Sequence, residues 1–293
     1  MAAQNVCLGV EISQEDLKIA LVDPGRKHVI KVDVVPTSGN PIGDASIYAS
    51  VLGSWARSNL LPQINAVAVA FPVCKGIVRL VAIPKEMESG FYDYVNWEFA
   101  HATDLKPGDY QIDAAFYPSQ KKPERVVVTA MNKKLVESLN SAELEKSGFT
   151  PSCLIADICA LLNLLELSEG LGSQPKCILK ADKKFTVAFW GNETGPLTIR
   201  LLPGDCVSSS AIADILNSGF KELPKAKRIV KLCGELSAGA EFTVELMRVL
   251  KEQKESIEVQ SWKSLSKFSL EKVGDFSKLS QCLGAIGATL SCA

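Results

Sequence analysis

Histidine is scarce in this chain, whose 293 residues contain only His28 and His101. A metal site built from Cys and His, or a catalytic Ser-His-Asp triad, needs histidine at defined places, so two histidines give little support to either. The sequence also has no Gly-x-x-x-x-Gly-Lys-Ser/Thr phosphate loop and no Gly-x-Ser-x-Gly nucleophile elbow. These absences argue against a metal centre, a triad hydrolase and a P-loop nucleotide site.

Long apolar runs and an excess of charge of one sign are absent as well. No apolar segment approaches the roughly 20 residues that a membrane-spanning helix requires. The first residues show no basic region followed by a long apolar stretch, as a signal peptide would. The formal net charge is -1, which gives no support to bulk binding of nucleic acid or of an anionic membrane. We therefore expect a cytoplasmic protein that reaches a membrane only through a partner.

Disulfide signatures are missing, although cysteine itself is not. The chain has nine cysteines, an odd number, with no Cys-x-x-Cys pair, and several of them lie inside apolar runs. This pattern predicts reduced, buried thiols rather than a disulfide framework.

The chain has enough apolar residues to form a large core, and its two halves share the same organisation. Hydrophobic residues make up 47% of it and charged residues 22%. Each half opens with three short apolar strands joined by tight turns. The predicted strands are Val6–Ile12, Leu17–Val22 and His28–Val35 in the first half, and Cys177–Ala181, Phe185–Trp190 and Leu197–Leu202 in the second.

Helices and buried strands alternate after each group of three strands. Apolar periodicity predicts helices at Asp44–Ser58, Glu86–His101, Lys133–Phe149, Ser208–Ser218 and Ala240–Glu252, and at the C-terminus. Asp44 and Ser208 are suited to cap the helices that they begin. The same periodicity predicts further strands at Ile64–Phe71, Ile77–Pro84, Tyr110–Pro118, Arg125–Asn132, Arg228–Glu235 and Ile257–Gln260. It also predicts a short strand after Pro151 that runs to Asp157 and a helix that follows it to about Leu167. Gly148 is expected to stop the third helix, and Glu169–Pro175 is the best linker. Two such lobes meeting at a cleft are typical of the α/β actin-like (ribonuclease H-like) and sugar-kinase-like architectures.

Specific residues carry a family resemblance. An apolar strand ends at Pro72, the next strand holds Arg79 and ends in Ile83-Pro84, and a Trp97-Glu98 pair and Asp113 follow. Gly148, Pro151 and Asp157 continue the order. This pattern, over about half the chain, resembles the PilM family, the actin-like cytoplasmic component of type IV pilus assembly. The cytoplasmic domain of GspL in type II secretion shares much of it, and FtsA is a more distant relative.

The resemblance implies a two-lobed actin-like fold. The first lobe would span 1–170, with a PilM/FtsA-type small subdomain inserted at about 73–124. The second lobe would span 171–293, and its C-terminal helix could pack back on the first. Only about two dozen residues separate Leu202 from Arg228, so the second-lobe insertion that helps enclose a nucleotide in the family is expected to be reduced to one helix.

The phosphate-binding turns depart from the family pattern. The first hairpin of PilM relatives has an Asp-Ile-Gly-like turn, where this chain has Glu11-Ile12-Ser13 followed by Glu15 and Asp16. At roughly 5 Å and an effective dielectric constant near 20, each of these two charges would repel a phosphate charge by about 3 kcal/mol. Lys18 would offset part of that repulsion.

The second hairpin departs in the same direction. Asp182 remains, but Lys183 and Lys184 follow where the family has Asp-x-Gly, and Gly234-Glu235 stands where an adenine-side loop carries a Gly-Gly pair. Glycine lets backbone amides approach phosphates closely, so its loss weakens the site. The alternative, an ATPase that binds ATP with Mg, would use Ser13, Lys18, Asp182 and Gly234, although Asp182 also suits a simple turn cap.

The preferred hypothesis is therefore a non-catalytic scaffold, without cofactor or metal, of a pilus-like or secretion-like machine. In PilM the N-terminal peptide of a PilN-like bitopic membrane protein lies in a groove between the first lobe and its inserted subdomain. The resemblance carries this groove to Arg79, Ile83, Phe91, Tyr94 and Trp97, although the three aromatics suit a buried core equally well. An assembly ATPase and a second copy of the chain are further candidate partners, and nucleic acid is not. A sugar or acetate kinase would need intact phosphate turns and a catalytic carboxylate beside a sugar site, and the sequence shows neither feature.

Overall fold

A computed structural model describes most of the chain, with short gaps. The described residues are 5–42, 44–84, 90–103, 106–115, 125–139, 149–170, 172, 174–192, 195–204, 207–223, 227–262, 265–271 and 278–292. None of the helices in these ranges is both long enough and apolar enough to cross a membrane.

A six-stranded sheet forms the first lobe. Its strands are β1 (Val6–Ile12), β2 (Asp16–Asp23), β3 (His28–Pro36), β4 (Ile64–Phe71), β8 (Cys153–Ala156) and β14 (Ser269–Leu270), in the order β14-β3-β2-β1-β4-β8. β1, β2 and β3 pair as the predicted antiparallel meander, and β4 and β8 continue the sheet in parallel from β1. Every residue of β1 is buried, because helices cover both faces of the sheet.

The helices of this lobe are α1 (Ala45–Arg57), α4 (Asp157–Glu169) and α7 (Leu283–Thr289). The predicted cap of α1 is confirmed, since Asp44 accepts a hydrogen bond from Ser46 N at 2.8 Å and satisfies one of the free amides at the helix start. Tyr48, Leu52 and Trp55 of α1 pack on one face of the sheet. The helix predicted at the C-terminus is α7, which packs with α4 on the opposite face, against β1, β2 and β4.

A small three-stranded sheet follows β4 in the chain. It has β5 (Gly76–Ala82), β6 (Tyr110–Ala115) and β7 (Arg125–Asn132) in the order β5-β7-β6, and α2 (Phe91–Thr103) packs on it. This sheet therefore includes β7, which begins one residue after the expected end of the insertion at 124. α3 (Lys133–Leu139) comes next.

Four sequence predictions extend beyond the residues that the structure describes. The second helix was expected to begin at Glu86, but the described helix begins at Phe91 and residues 85–89 lie outside the described ranges. β6 is described only to Ala115, and the third helix only to Leu139. The expected stop at Gly148 lies outside the described residues as well.

The second lobe repeats the topology of the first. Its strands are β9 (Lys176–Asp182), β10 (Phe185–Asn192), β11 (Gly195–Pro203), β12 (Arg228–Cys233) and β13 (Ile257–Ser261), in the order β11-β10-β9-β12-β13. The meander β9-β10-β11 is antiparallel, and β12 and β13 continue in parallel from β9, as β4 and β8 do from β1. The helices are α5 (Ser209–Lys221), with Ser208 as its cap, and α6 (Ala240–Glu252), which has the predicted bounds.

One element of the first sheet was not predicted. β14 comes from the second half of the chain and pairs in parallel with the start of β3, Ser269 beside His28 and Leu270 beside Val29. Two residues carry no periodicity, so only the presence of the β3 edge makes this segment a strand.

The two lobes and the small sheet share a continuous apolar core. The largest cluster contains Val22 and Val29 of the first sheet, Val78 and Val127 of the small sheet, and Phe189 of the second. The small sheet also contacts the second lobe directly, where Arg125 Nη1 donates to the Leu197 carbonyl at 2.9 Å. Opening the cleft between the lobes would therefore expose apolar surface.

Candidate functional site

The turns between β1 and β2 and between β9 and β10 face each other across the cleft. Lys184 Nζ of the second turn lies 2.6 Å from Glu15 Oε1 of the first. The cleft below them is lined by Pro72, Cys74 and Asp157 of the first lobe and by Asp182 and Glu235 of the second. The fold therefore brings together Ser13, Lys18, Asp182 and Gly234, the four residues that the sequence offered as a nucleotide site.

The β1–β2 turn is closed on itself. The amides of Glu15 and Asp16 both donate to the Ser13 hydroxyl, at 3.3 and 3.1 Å, and that hydroxyl donates to Asp16 Oδ1 at 2.6 Å. Amides that already have an acceptor inside the turn are not free to hold a phosphate. The two charges expected to face a phosphate are also paired here, Glu15 with Lys184 and Asp16 with Ser13.

Lys18 is a fully buried residue of β2. Its Nζ lies 3.3 Å from Glu11 Oε1 on the neighbouring strand, 3.4 Å from Asp182 Oδ1 and 3.7 Å from Glu235 Oε1. Burial alone would lower the pKa of Lys18, but the carboxylates of Asp182, Glu11 and Glu235 outweigh it and raise the pKa. Lys18 is therefore an ammonium of the first lobe held mainly by carboxylates of the second.

Lys180 of β9 makes the reverse connection. Its Nζ lies 2.7 Å from Glu11 Oε1, pairs directly with Asp157 at the start of α4, and lies 3.2 Å from Asp182 Oδ2. The side chain is buried, which opposes the charge, yet Asp157, Asp182 and Glu11 raise its pKa well above the ordinary value. Lys18 and Lys180 therefore cross the cleft in opposite directions. We refer to the six charged residues that meet here as the interlobe cluster: Glu11, Lys18, Asp157, Lys180, Asp182 and Glu235.

Backbone amides complete the interlobe cluster. Asp157 Oδ1 accepts from Val73 N at 3.1 Å and from Ile158 N at 2.7 Å, which ties the root of the small sheet to the cleft. Asp182 Oδ1 accepts from Glu235 N at 2.9 Å, and Glu235 Oε2 accepts from Lys183 N at 3.2 Å. The loop amides on the second-lobe side therefore also have acceptors within the protein.

Gly234 has a structural reason to be glycine in this arrangement. Its φ is +94°, and a Cβ would lie 2.7 Å from the Ala181 carbonyl oxygen and 2.8 Å from Asp182 Oδ1. Its own amide donates to the Ser280 carbonyl at 3.1 Å. The residue positions the next amide, that of Glu235, on Asp182.

The cluster carries an excess of negative charge and leaves little room. Four carboxyl groups face two ammonium groups, a formal charge of -2 when all are ionised. The backbone of α7 presses against it, because a Cβ on Gly284 would lie 2.1 Å from Glu11 Oε2. The cleft above has about 40 Å³ for water-sized molecules, enough for a few waters at roughly 10–15 Å³ each. Across the described residues, no group of three or more His, Cys, Asp or Glu side chains is placed to hold a metal ion.

The excess of carboxyl groups predicts a pH-dependent stability. Burial raises the pKa of Asp157 and of Glu235 above their ordinary values of 3.8 and 4.5. A carboxyl group whose pKa is higher in the folded state binds its proton there first, so acidification from neutral pH toward about pH 5 should favour the folded state through these two groups. Asp182 behaves oppositely: burial would raise its pKa, but Lys18 and Lys180 hold it at about 2. Its contribution persists above about pH 4 and is lost as the pH falls toward 2.

Glu235→Gln isolates one of these groups. We expect the variant to unfold at higher urea concentration than the wild type at neutral pH, and this advantage to shrink as the pH falls through the raised pKa of Glu235. Glu241→Gln, on the exposed side of α6, is the matched control. A difference between Glu235→Gln and wild type that stays constant with pH would contradict the assigned shift.

Four members of the interlobe cluster are not among the site residues predicted from the sequence: Glu11, Asp157, Lys180 and Glu235. The available signal was a lysine in the middle of the apolar strand Cys177–Ala181, since lysine is almost never fully buried unless it is paired. No local pattern in the sequence indicates which carboxylates pair with this lysine.

The five residues predicted to bind a partner gather on the small sheet and α2. Ile83, Phe91 and Tyr94 are partly buried against its core, and Tyr94 Oη donates to the Ala82 carbonyl at 3.2 Å. Trp97, in contrast, is 55% exposed. Arg79 is exposed on the β5 face that also carries Val81, which packs with α2.

Trp97 belongs to an aromatic row along α2. Its ring lies 4.5 Å from that of His101 and 6.3 Å from that of Tyr94, measured between centroids. Tyr92, which sequence reasoning did not select, is 58% exposed and contacts Phe91 edge to face. The helix therefore presents aromatic surface on the outside of the small sheet.

The comparisons with known proteins rest on structure. No family model matches the sequence, and no curated protein matches it. A PilM-PilN type IV pilus biogenesis complex matches with a TM-score of 0.70 and 18% identity over 99% of each chain. A Bacteroides thetaiotaomicron protein with an actin-like ATPase fold matches with a TM-score of 0.57, 14% identity, and 99% and 97% coverage. The cytoplasmic domain of EpsL, an inner-membrane component of the Vibrio cholerae type II secretion system, matches with a TM-score of 0.56, 12% identity, and 97% and 95% coverage.

These likenesses establish the fold. The chain has the actin-like ATPase fold over its full length, and the resemblance to PilM and to the GspL cytoplasmic domain is confirmed as a likeness of fold. The same fold includes proteins that hydrolyse ATP, so the fold by itself leaves the chemistry of the cleft undecided.

Proposed function

We propose that this protein is a non-catalytic scaffold of a type IV pilus-like assembly or secretion system, and that it docks the cytoplasmic N-terminal tail of a PilN-like inner-membrane protein. The full-length likeness to a PilM-PilN complex supports the choice of machine. In this proposal the protein is cytoplasmic and is held at the inner membrane by its partner.

The proposal that the protein is non-catalytic rests on one observation. The ammonium groups of Lys18 and Lys180 each cross the cleft and pair with carboxylates of the other lobe. In an actin-like ATPase, the charge of bound triphosphate and Mg²⁺ would lie between these two turns. Here two ammonium groups and four carboxylates occupy that position, and the turn amides already donate within the protein. A net negative cleft is a poor fit to a magnesium triphosphate, because its carboxylates would repel the phosphates at close range.

The docking part of the proposal rests on the aromatic row of α2 and on Arg79. Aromatic and arginine side chains supply most of the energetic anchors of protein interfaces. Trp97 and Arg79 are exposed, so a partner can reach them without unfolding the small sheet. The direct test is fluorescence anisotropy with a labelled peptide that copies the cytoplasmic N-terminal tail of a PilN-like single-pass membrane protein from the same genome. Saturable binding is expected, and no binding at high micromolar peptide would argue against the proposal.

The alternative is a nucleotide-binding ATPase of the same machinery, with Ser13, Lys18, Asp182 and Gly234 as ligands. It is favoured by the ATPase fold of the neighbours and by two lysines, Lys183 and Lys184, at the mouth of the cleft. It would require the Lys18 and Lys180 ion pairs to separate before nucleotide enters.

A thermal-shift measurement with Mg-ATP separates the two functions. A ligand present at 100 times its Kd stabilises the folded state by about 2.7 kcal/mol, which raises the melting temperature measurably. We expect no shift with Mg-ATP at millimolar concentration. A clear shift that Asp182→Asn abolishes and the exposed Glu241→Gln leaves unchanged would place nucleotide in the cleft and favour the ATPase.

A further inference from the structure

Two cysteines meet where the end of the described chain contacts the first sheet. Cys153 is the first residue of β8, and Cys292 is the last residue of the final turn, Leu290–Cys292. Both are partly buried, and both pack against the same cluster of four alanines, Ala68, Ala70, Ala160 and Ala288.

The final turn is held in place by its own contacts. Asn163 of α4 donates to Ser291 Oγ at 3.2 Å, immediately before Cys292. The turn also contacts β4, β8 and α4. Cys292 lies in this turn and Cys153 in β8, so the two side chains share one contact surface, with a side-chain hydrogen bond between them.

These contacts make Cys153 unlike the other described cysteines. The hydrogen bond from Cys292, assisted by one from Ser291 and opposed by burial, lowers the pKa of Cys153 to about 7. Burial raises the pKa of Cys7, Cys74, Cys159, Cys177, Cys233 and Cys282 instead. Because the thiolate is the nucleophile, a lowered pKa and partial exposure favour reaction at Cys153 over the buried cysteines at neutral pH.

We infer that Cys153 and Cys292 are a peroxide-reactive thiol pair that closes to an intramolecular disulfide. The Cys153 thiolate attacks one oxygen of a peroxide and becomes a sulfenic acid, releasing hydroxide or an alkoxide. The Cys292 sulfur then attacks the Cys153 sulfur, the disulfide forms and water leaves. The two thiols lose two electrons and two protons in total, and the peroxide is reduced by two electrons.

The disulfide would have a defined structural effect. It would join the last turn to β8 covalently, and through that turn it would fasten α7, which packs on β1, β2 and β4 and lies against Glu11 of the interlobe cluster. A thiol modifier large enough to separate the two sulfurs would act in the opposite direction, because it would displace the turn from the alanine cluster.

The test treats the full folded chain with hydrogen peroxide and maps its disulfides by mass spectrometry. The expected product has lost two hydrogen atoms, contains a Cys153–Cys292 crosslinked peptide and is restored by dithiothreitol. Cys292→Ser should abolish the crosslink and leave a sulfenic acid at Cys153 that a dimedone reagent traps. Cys74→Ser should crosslink like the wild type, and Cys74 is the matched control because it is also partly buried.

A second measurement uses the wild-type protein alone, so that it does not depend on any variant folding. Iodoacetamide at neutral pH should alkylate Cys153 at least about tenfold faster than Cys74, because only the former has a lowered pKa. Equal alkylation rates, or peroxide oxidation of Cys153 that never yields a crosslink to Cys292, would overturn the inference.

Discussion

Replacing Lys180 with methionine should lower the free energy of unfolding by about 3–5 kcal/mol, the usual cost of removing one partner from a buried ion pair. Lys180 is 4% exposed and its ammonium faces Glu11, Asp157 and Asp182. Methionine keeps the apolar stem and removes the charge, so the loss comes from carboxylates left buried without a counter-charge. Urea unfolding, monitored by far-UV circular dichroism, measures the change.

Two companion variants make the Lys180 result specific. Lys184→Met removes an exposed lysine whose partner, Glu15, is also exposed, and it should leave the unfolding midpoint essentially unchanged because exposed ion pairs contribute little. Asp157→Asn in the Lys180→Met background should restore part of the lost stability, since it removes one unpaired carboxylate. If Lys180→Met unfolds at the same urea concentration as the wild type, the interlobe cluster does not hold the cleft closed.

Replacing Trp97 with alanine should weaken docking of the membrane protein's tail by about 30-fold, which corresponds to the roughly 2 kcal/mol typical of an interface hot spot. The side chain is 55% exposed, so its removal should leave the melting temperature unchanged while it removes the centre of the aromatic row. The measurement is the anisotropy titration with the labelled tail peptide.

The matched control for Trp97 is Met247→Ala. Met247 is 44% exposed on α6 of the second lobe, away from the small sheet, and its removal should not change the affinity for the peptide. If Trp97→Ala and Met247→Ala bind the peptide equally well, the aromatic row is ordinary surface and the tail docks elsewhere. If both lose binding, the groove is not confined to the small sheet.

Elements that neighbouring residues specify were predicted correctly, and an element that depends on a distant segment was not. The strands β1, β4 and β7 have the predicted bounds, because a run of apolar residues between turn residues specifies a buried strand locally. The same holds for α6 and for the Asp44 cap of α1. β14 was missed because its two residues are a strand only in the presence of β3.

The two turns of the candidate site could likewise be predicted, because turns are local features of the chain. The sequence identified the two turns and the loss of glycine from them, and the fold does place Ser13, Lys18, Asp182 and Gly234 together. The buried pairing of Lys180 with Asp157 and Glu11 could not be predicted, because these residues come from three separate segments of two lobes: β9, the start of α4 and β1. Among Phe91, Tyr94 and Trp97, the three aromatics proposed from the sequence, the helical spacing suits both a core and a surface position. Only the packing shows that Trp97 is the exposed one of the three.

The sequence by itself determined the alternation of strands and helices, the two three-stranded meanders and the weakened phosphate turns, since hydrophobic period, turn residues and missing glycines are local properties of the chain. Only the tertiary structure decided what fills the cleft. A buried lysine is acceptable only where carboxylates from distant segments surround it, and the free energy of that arrangement depends on distance and desolvation, which exist only after the lobes have packed.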